Sequence, residues 1–179
     1  MQWSTALFRE SGEPYYFPNK FTPYFRHTYA LPAIYRWRVM RRQPGEKEII
    51  YIGEAEDLTR RIQRVLTPSG TANDTDTNKR LHQIFRKCLA ENQTVVIDIA
   101  KVEPFEINSV RFDQQGIADC FKRRALENLL LVFELARGEV QLLNIVVDHL
   151  AKAREALLKI CKPHEVEALF RHFGLQKDS

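Results

Sequence analysis

A chain of 179 residues with 44% hydrophobic and 28% charged content carries enough apolar material for one substantial core and too much for a disordered polypeptide. Its formal charge of +4 is a modest basic excess, compatible with a nucleic-acid partner but not demanding one. The three cysteines, Cys88, Cys120 and Cys161, lie far apart and outside any CxxC pattern, which argues against a disulfide framework or a zinc cluster and for reduced thiols in a cytoplasmic protein. No apolar run approaches the ~18 residues of a membrane span. Met-Gln-Trp-Ser at the start has no basic region leading into an apolar one, so no signal peptide is expected.

Residues 1–31 hold Trp3, Phe8, Tyr15, Tyr16, Phe17, Phe21, Tyr24, Phe25 and Tyr29, interrupted by Pro14, Pro18 and Pro23. The prolines argue against regular helix, and the segment is expected to be an arm that lays its aromatics over the core. Interleaved with Lys20, Arg26 and His27, the same rings have the chemistry to stack on splayed bases. Residues 34–40 alternate apolar and polar side chains, as a half-buried strand does. Pro44-Gly45 then signals a turn, and residues 48–52 form the returning strand of a hairpin. Asp57 is placed to cap a helix whose apolar positions are Leu58, Ile62, Val65 and Leu66.

A polar loop is expected over 67–77 and a second helix over 78–90, with Leu81, Ile84, Phe85, Cys88 and Leu89 on one side. Residues 94–102, rich in Val and Ile, read as a third strand ended by Pro104. The strongest helical pattern runs over 117–136 and meets a stop signal at Gly138. Further helices are expected over 144–161 and from Pro163 to about residue 173. The order β-β-α-α-β-α-α-α predicts an α/β (α+β) fold, with a small three-stranded mixed or antiparallel sheet flanked by helices.

Two features carry chemistry of their own. Glu127 sits among Leu126, Leu129, Leu130 and Leu131. A carboxylate buried there without a partner is costly, and a metal ion, an arginine or a rotation of the helix toward solvent would resolve it. Basic residues also cluster: Arg36, Arg38, Arg41 and Arg42 at the hairpin, Lys79 and Arg80 at the start of the second helix, Lys122, Arg123 and Arg124 ahead of Glu127. Such groups can track a phosphate backbone, and they read equally well as solvated faces.

Ala33-Ile34-Tyr35 opens the first strand, Tyr51-Ile52-Gly53 closes the second, and Arg61 follows ten residues after Tyr51. With Glu127 in a late apolar helix and Leu143-Asn144 downstream, this pattern resembles the GIY-YIG nuclease superfamily over residues 32–147. The resemblance implies a metal-dependent endonuclease that hydrolyses DNA phosphodiester bonds, in duplex or branched DNA. Tyr51 would act as general base or orient the attacking water, assisted by Tyr35. Arg61 would stabilise charge on the scissile phosphate, and Glu127 would hold Mg²⁺ or Mn²⁺. Gly53 and Asn144 would support the site, while Arg36, Arg38, Lys79, Arg80 and Arg124 would contact nucleic acid.

The chain departs from the family at Ala33, at Glu54 after the second glycine, and at Val65, where many members carry histidine or tyrosine. His82 and His27 are the candidates for a base from elsewhere. In this reading residues 1–31 are the aromatic arm, 32–147 the nuclease-like domain with an insertion at about 68–93, and 148–179 a helical extension. A homodimer through the stripe Leu150, Ala153, Leu157 and Ile160 is an open possibility, core packing being the other use of that stripe. The alternative function is a catalytically weak module that binds nucleic acid or a partner protein.

Overall fold

The structure is a computed structural model that describes residues 2–40, 43, 45–68, 76–107, 110–144, 149–159 and 161–172. Its centre is the expected hairpin, β2 (Ala33–Val39) and β3 (Glu48–Ala55), joined by β4 (Val95–Lys101). All three pair antiparallel, with Tyr35 opposite Gly53 on one side and Ile99 on the other. Two strands absent from the sequence expectation extend this core. The arm begins with β1 (Gln2–Thr5), which pairs antiparallel with β4. A three-residue strand, β7 (Val140–Leu142), pairs in parallel with Glu48–Ile50 of β3. The sheet is therefore five-stranded and mixed, in the order β1-β4-β2-β3-β7, rather than three-stranded. Both added strands are short edge strands with weak alternation, which periodicity cannot separate from loop. A separate small hairpin, β5 (Phe105–Ile107) with β6 (Val110–Phe112), follows Pro104.

The two faces of the sheet bury different partners. Tyr35, Trp37, Val39, Tyr51, Val95 and Ile97 point to one side. They meet α2 (Leu58–Leu66) and α3 (Asp76–Ala90) through Leu58, Ile62, Val65, Leu81 and Phe85. The arm joins the same layer. Tyr15, Phe17 and Phe25 are fully or almost fully buried there, with Phe17 set edge-on to Trp37 and Phe85. Burial of each such ring stabilises the fold by roughly 1.5–3 kcal/mol, and it removes these rings from any base. The arm also contains a short helix, α1 (Pro23–Tyr29), against expectation. Pro23 is tolerated because the first helical position needs no N–H, and Thr22 Oγ1 caps by accepting from Phe25 N at 3.1 Å.

On the opposite face Ile34, Ile50 and Ile52 pack against α4 (Cys120–Arg137) and α5 (His149–Leu157), using Ala125, Leu126, Leu129 and Leu157. Helix α4 begins later than the apolar pattern suggests. A single 3-10 turn at Gly116–Ala118 precedes it, and Asp119 then caps α4 by accepting from Phe121 N and Lys122 N. Gly138 ends it at φ +66°, the left-handed conformation that favours glycine. Of the helix expected over 144–161 the structure describes α5; Asn144 instead belongs to the chain leaving β7, and Leu158 and Lys159 form a turn after α5. Helix α6 (Pro163–His172) follows.

Asp98 anchors the far end of this second face. It is 1% exposed and accepts from Arg36 Nε at 2.8 Å, Arg38 Nε at 2.9 Å and Thr5 Oγ1 at 2.8 Å. Burial opposes its ionisation, but the bonds from Arg38, Arg36 and Thr5 outweigh that and hold its carboxyl below the ordinary range. Arg36 also lies 4.7 Å over the Trp3 ring. Three strands are tied together by this one cluster. Arg41, Arg42 and Pro44 lie outside the described residues, as do the side chains of Leu150, Ala153 and Ile160; Leu157 of that stripe is buried. Among the described residues no helix is long and apolar enough to cross a membrane.

Candidate active site

The candidate site forms where β3 runs out and α2 begins. Asp57 Oδ1 accepts from Arg60 N at 3.0 Å, which fixes the start of α2 and places Arg61 in its first turn. From there the Arg61 guanidinium spans both tyrosines. Its Nε donates to Tyr35 Oη at 2.9 Å, and its Nη2 approaches Tyr51 Oη at 3.4 Å. The remaining nitrogen, Nη1, donates to Asn78 Oδ1 on α3. The planar fork of arginine suits such a three-way junction, which a lysine ammonium would not reproduce.

Gly53 is required for this geometry. It pairs with Tyr35 across the hairpin, and a Cβ at this position would come within 2.7 Å of Tyr35 Oη and 3.0 Å of Tyr51 Cε1. Any side chain would therefore push the tyrosines out of position. Asn144 supports the same strand from the other edge. Its Oδ1 accepts from Ile52 N at 3.0 Å and its Nδ2 donates to Ile52 O at 2.7 Å. The amide thus carries the β3–β7 ladder one step farther and satisfies two backbone groups next to Tyr51. Arg80 braces this segment, donating from Nη2 to Leu143 O at 2.6 Å.

An open cleft of about 820 Å³ lies beside this network, lined by Tyr51, Glu54, Asp57, Arg60, Arg61 and Glu127 among others. Glu127 enters it from α4. Burial, then the nearby charge of Glu54, pushes its carboxyl up from 4.5 to about 7, against the opposing pull of Lys152, Arg61 and Arg124. Glu54 itself is held by Arg123, whose Nε donates to it at 2.5 Å. Arg123 is buried and also donates to Ile117 O at 2.8 Å. The departure noted at Glu54 thus has a structural use, joining β3 to α4. Both phenols are shifted too. Burial pushes Tyr35 and Tyr51 above the ordinary tyrosine value, with Arg61 opposing at each.

A hard divalent cation fits this donor set. Mg²⁺ takes one or two carboxylates and retains most of its waters, and Glu127 is a desolvated carboxylate whose ionisation a cation would favour. Among the described residues no group of three or more His, Cys, Asp and Glu stands together. An ion here would take the rest of its shell from water and substrate, with Glu127 the carboxylate that would hold it; Glu56 and Asp57 also line the cleft.

The other expected residues fall elsewhere. Arg36 and Arg38 are engaged by Asp98 and do not line the cleft. Lys79 is half-buried near the start of α3. Arg124 is exposed, 3.8 Å from Glu54. His82 turns its Nδ1 to Val65 O at 2.8 Å and packs edge-on to Phe17; His27 is exposed on α1. Neither histidine lines the cleft. Val65 is fully buried, in contact with the core rather than the site.

Sequence reasoning missed Asn78. It is fully buried and continues the inward stripe Leu81, Phe85 and Cys88 of α3. A polar residue on an otherwise apolar helix face was the signal, because such a group needs a buried partner. No protein-family model, curated protein or solved structure matches this chain.

Proposed function

We propose that this chain is a metal-dependent endonuclease of the GIY-YIG type that hydrolyses DNA phosphodiester bonds. The observation that carries the reading is the convergence of Arg61 with Tyr35 and Tyr51, across a glycine that no side chain can replace, beside the Glu127 cleft. Tyr35, Tyr51 and Arg61 come from three different elements and meet beside a carboxylate from a fourth, an arrangement that suits phosphoryl chemistry.

In this reading the scissile phosphate lies in the cleft against Arg61. The guanidinium donates to the tyrosine oxygens and also faces the cleft, where it offsets charge that builds on the phosphoryl oxygens. Tyr51 orients the attacking water. Its phenol keeps its proton at neutral pH, since burial pushes it above the ordinary value, and the phenol becomes a true base only as pH rises. Tyr35 is fully buried and acts by fixing Arg61. Glu127 holds the cation, which supplies Lewis-acid stabilisation of the leaving oxygen when bound.

The test is cleavage of duplex, flapped and branched DNA with Mg²⁺ or Mn²⁺. Glu127→Ala and Arg61→Lys should each abolish cleavage while circular dichroism shows the fold retained. Undiminished cleavage by Glu127→Ala would end the metal assignment.

One observation favours the second reading, a catalytically weak module that binds nucleic acid or a partner. Both phenols are pushed up and Glu54 is committed to Arg123, which leaves none of these three groups free to act as base near neutral pH. Salt-sensitive DNA binding with no cleavage under any divalent cation would select it.

A further inference from the structure

A second, smaller groove of about 280 Å³ adjoins the cleft. The two share Glu54 and Glu127. Its far wall is α5 and the turn after it, where Lys152, Glu155, Ala156 and Lys159 recur at helical spacing on the side toward α4. A helix face turned toward a neighbouring helix is normally apolar along such a stripe. Here the middle is a small buried alanine and both ends are exposed lysines. The alanine leaves the space open and the lysines border it. Arg124 of α4 stands on the opposite wall.

Glu127 therefore lies between two sets of basic side chains, the first interspersed with Glu56 and Asp57. Arg60, Arg61 and Arg64 of α2 line the cleft on one side, and Arg124, Lys152 and Lys159 line the groove on the other. Of the acidic groups on the groove wall, Glu54 is neutralised by buried Arg123, and a cation at Glu127 would offset that carboxylate. Glu155 remains as the opposing charge, outnumbered by the three basic side chains.

We propose that the α4–α5 groove holds the DNA strand beyond the cleaved bond, with Lys152 and Lys159 each contacting a phosphate on the side away from α2. This rests on the nuclease reading and deepens it. The substrate must then carry phosphates on both sides of the scissile linkage, which makes the enzyme one that cuts within a strand rather than at its end. It also gives the helical extension a substrate-binding role.

The test is binding of a fluorescein-labelled duplex and its single strand in EDTA, from about 50 to 200 mM salt. In parallel, Mg²⁺-dependent cleavage is measured on long substrates and on ones truncated to a single nucleotide on either side of the cut. Lys152→Gln with Lys159→Gln should lower affinity roughly tenfold or more near 0.1 M salt and reduce the salt slope by about 1.5, as expected for two lost phosphate contacts. The Arg replacements at both positions should retain wild-type binding, and Lys101→Gln, at an exposed site on β4, should leave the slope unchanged. Truncation on one side should weaken cleavage by the wild type and cost the double Gln variant nothing more.

Wild-type slope and cleavage in the double Gln variant, or an equal slope loss in Lys101→Gln, would overturn the groove assignment and leave the nuclease reading standing. A wild-type protein that neither binds nor cuts DNA would overturn both.

Discussion

Replacing Glu127 by Gln should make this protein more stable at alkaline pH. In the folded chain the carboxyl is pushed up from 4.5 to about 7, by burial and then by Glu54. Folding therefore favours the neutral form. The contribution of this group to stability is full below about pH 4.5, declines between there and 7, and is lost above 7. At about 1.4 kcal/mol per pH unit, the shift corresponds to roughly 3 kcal/mol. Water in the open cleft screens part of it, so about 1–3 kcal/mol is expected. Gln keeps the shape of the side chain and carries no charge, so the variant escapes this penalty.

Thermal or urea unfolding of both proteins from about pH 5 to 8.5, without divalent cations, measures the difference. The gap should be small at the acid end and widest at the alkaline end. At about 2–4 °C per kcal/mol for a chain of this size, that is several degrees in Tm. Millimolar Mg²⁺ should then stabilise the wild type at pH 8 and leave Glu127→Gln unmoved, since only a binder of the native state raises stability. A pH-independent gap, or a variant less stable than wild type at pH 8, would refute the claim that Glu127 is a charge held at a cost.

Gly53→Ala should destabilise the fold by about 1–3 kcal/mol through overpacking against Tyr35 and Tyr51 and should abolish cleavage; a Tm and activity within error of wild type would contradict the packing argument. Asn144→Ala strips Ile52 of two hydrogen bonds and should cost about 1–3 kcal/mol for each group left buried without a partner, read by denaturant midpoint. The cleavage rate under single-turnover conditions should rise with pH, because burial holds the Tyr51 phenol above its ordinary value; a flat profile from about pH 6 to 9 would remove Tyr51 from proton transfer.

The site was more legible than its frame. The alternation of residues 34–39 and the Asp57 cap are local signals, and they placed Tyr35, Tyr51 and Arg61 on the elements that carry them. The partners of these residues depend on tertiary contact. Asn78 meets Arg61 only because α3 packs on the same sheet face as α2, and Glu54 meets Arg123 only because α4 covers the other. The edge strands β1 and β7 draw their stability from a neighbour's ladder rather than from their own pattern. The sequence pattern alone starts a helix at Asn144. Its amide instead continues a strand pairing that no local signal reports. The basic hairpin residues illustrate the reverse case. Charge suggested a phosphate track, and a single buried carboxylate, Asp98, takes both Arg36 and Arg38.

The central claim is that Arg61 and Glu127 act together on a DNA phosphate. It is tested most directly by Mg²⁺-dependent cleavage of a panel of duplex, flapped and branched DNAs by the wild type, Arg61→Lys and Glu127→Gln. Metal-dependent products are expected from the wild type alone, with Glu127→Gln folded and at least as stable as wild type at pH 8. Equal cleavage by all three proteins, or none by the wild type on any substrate with any divalent cation, would contradict it.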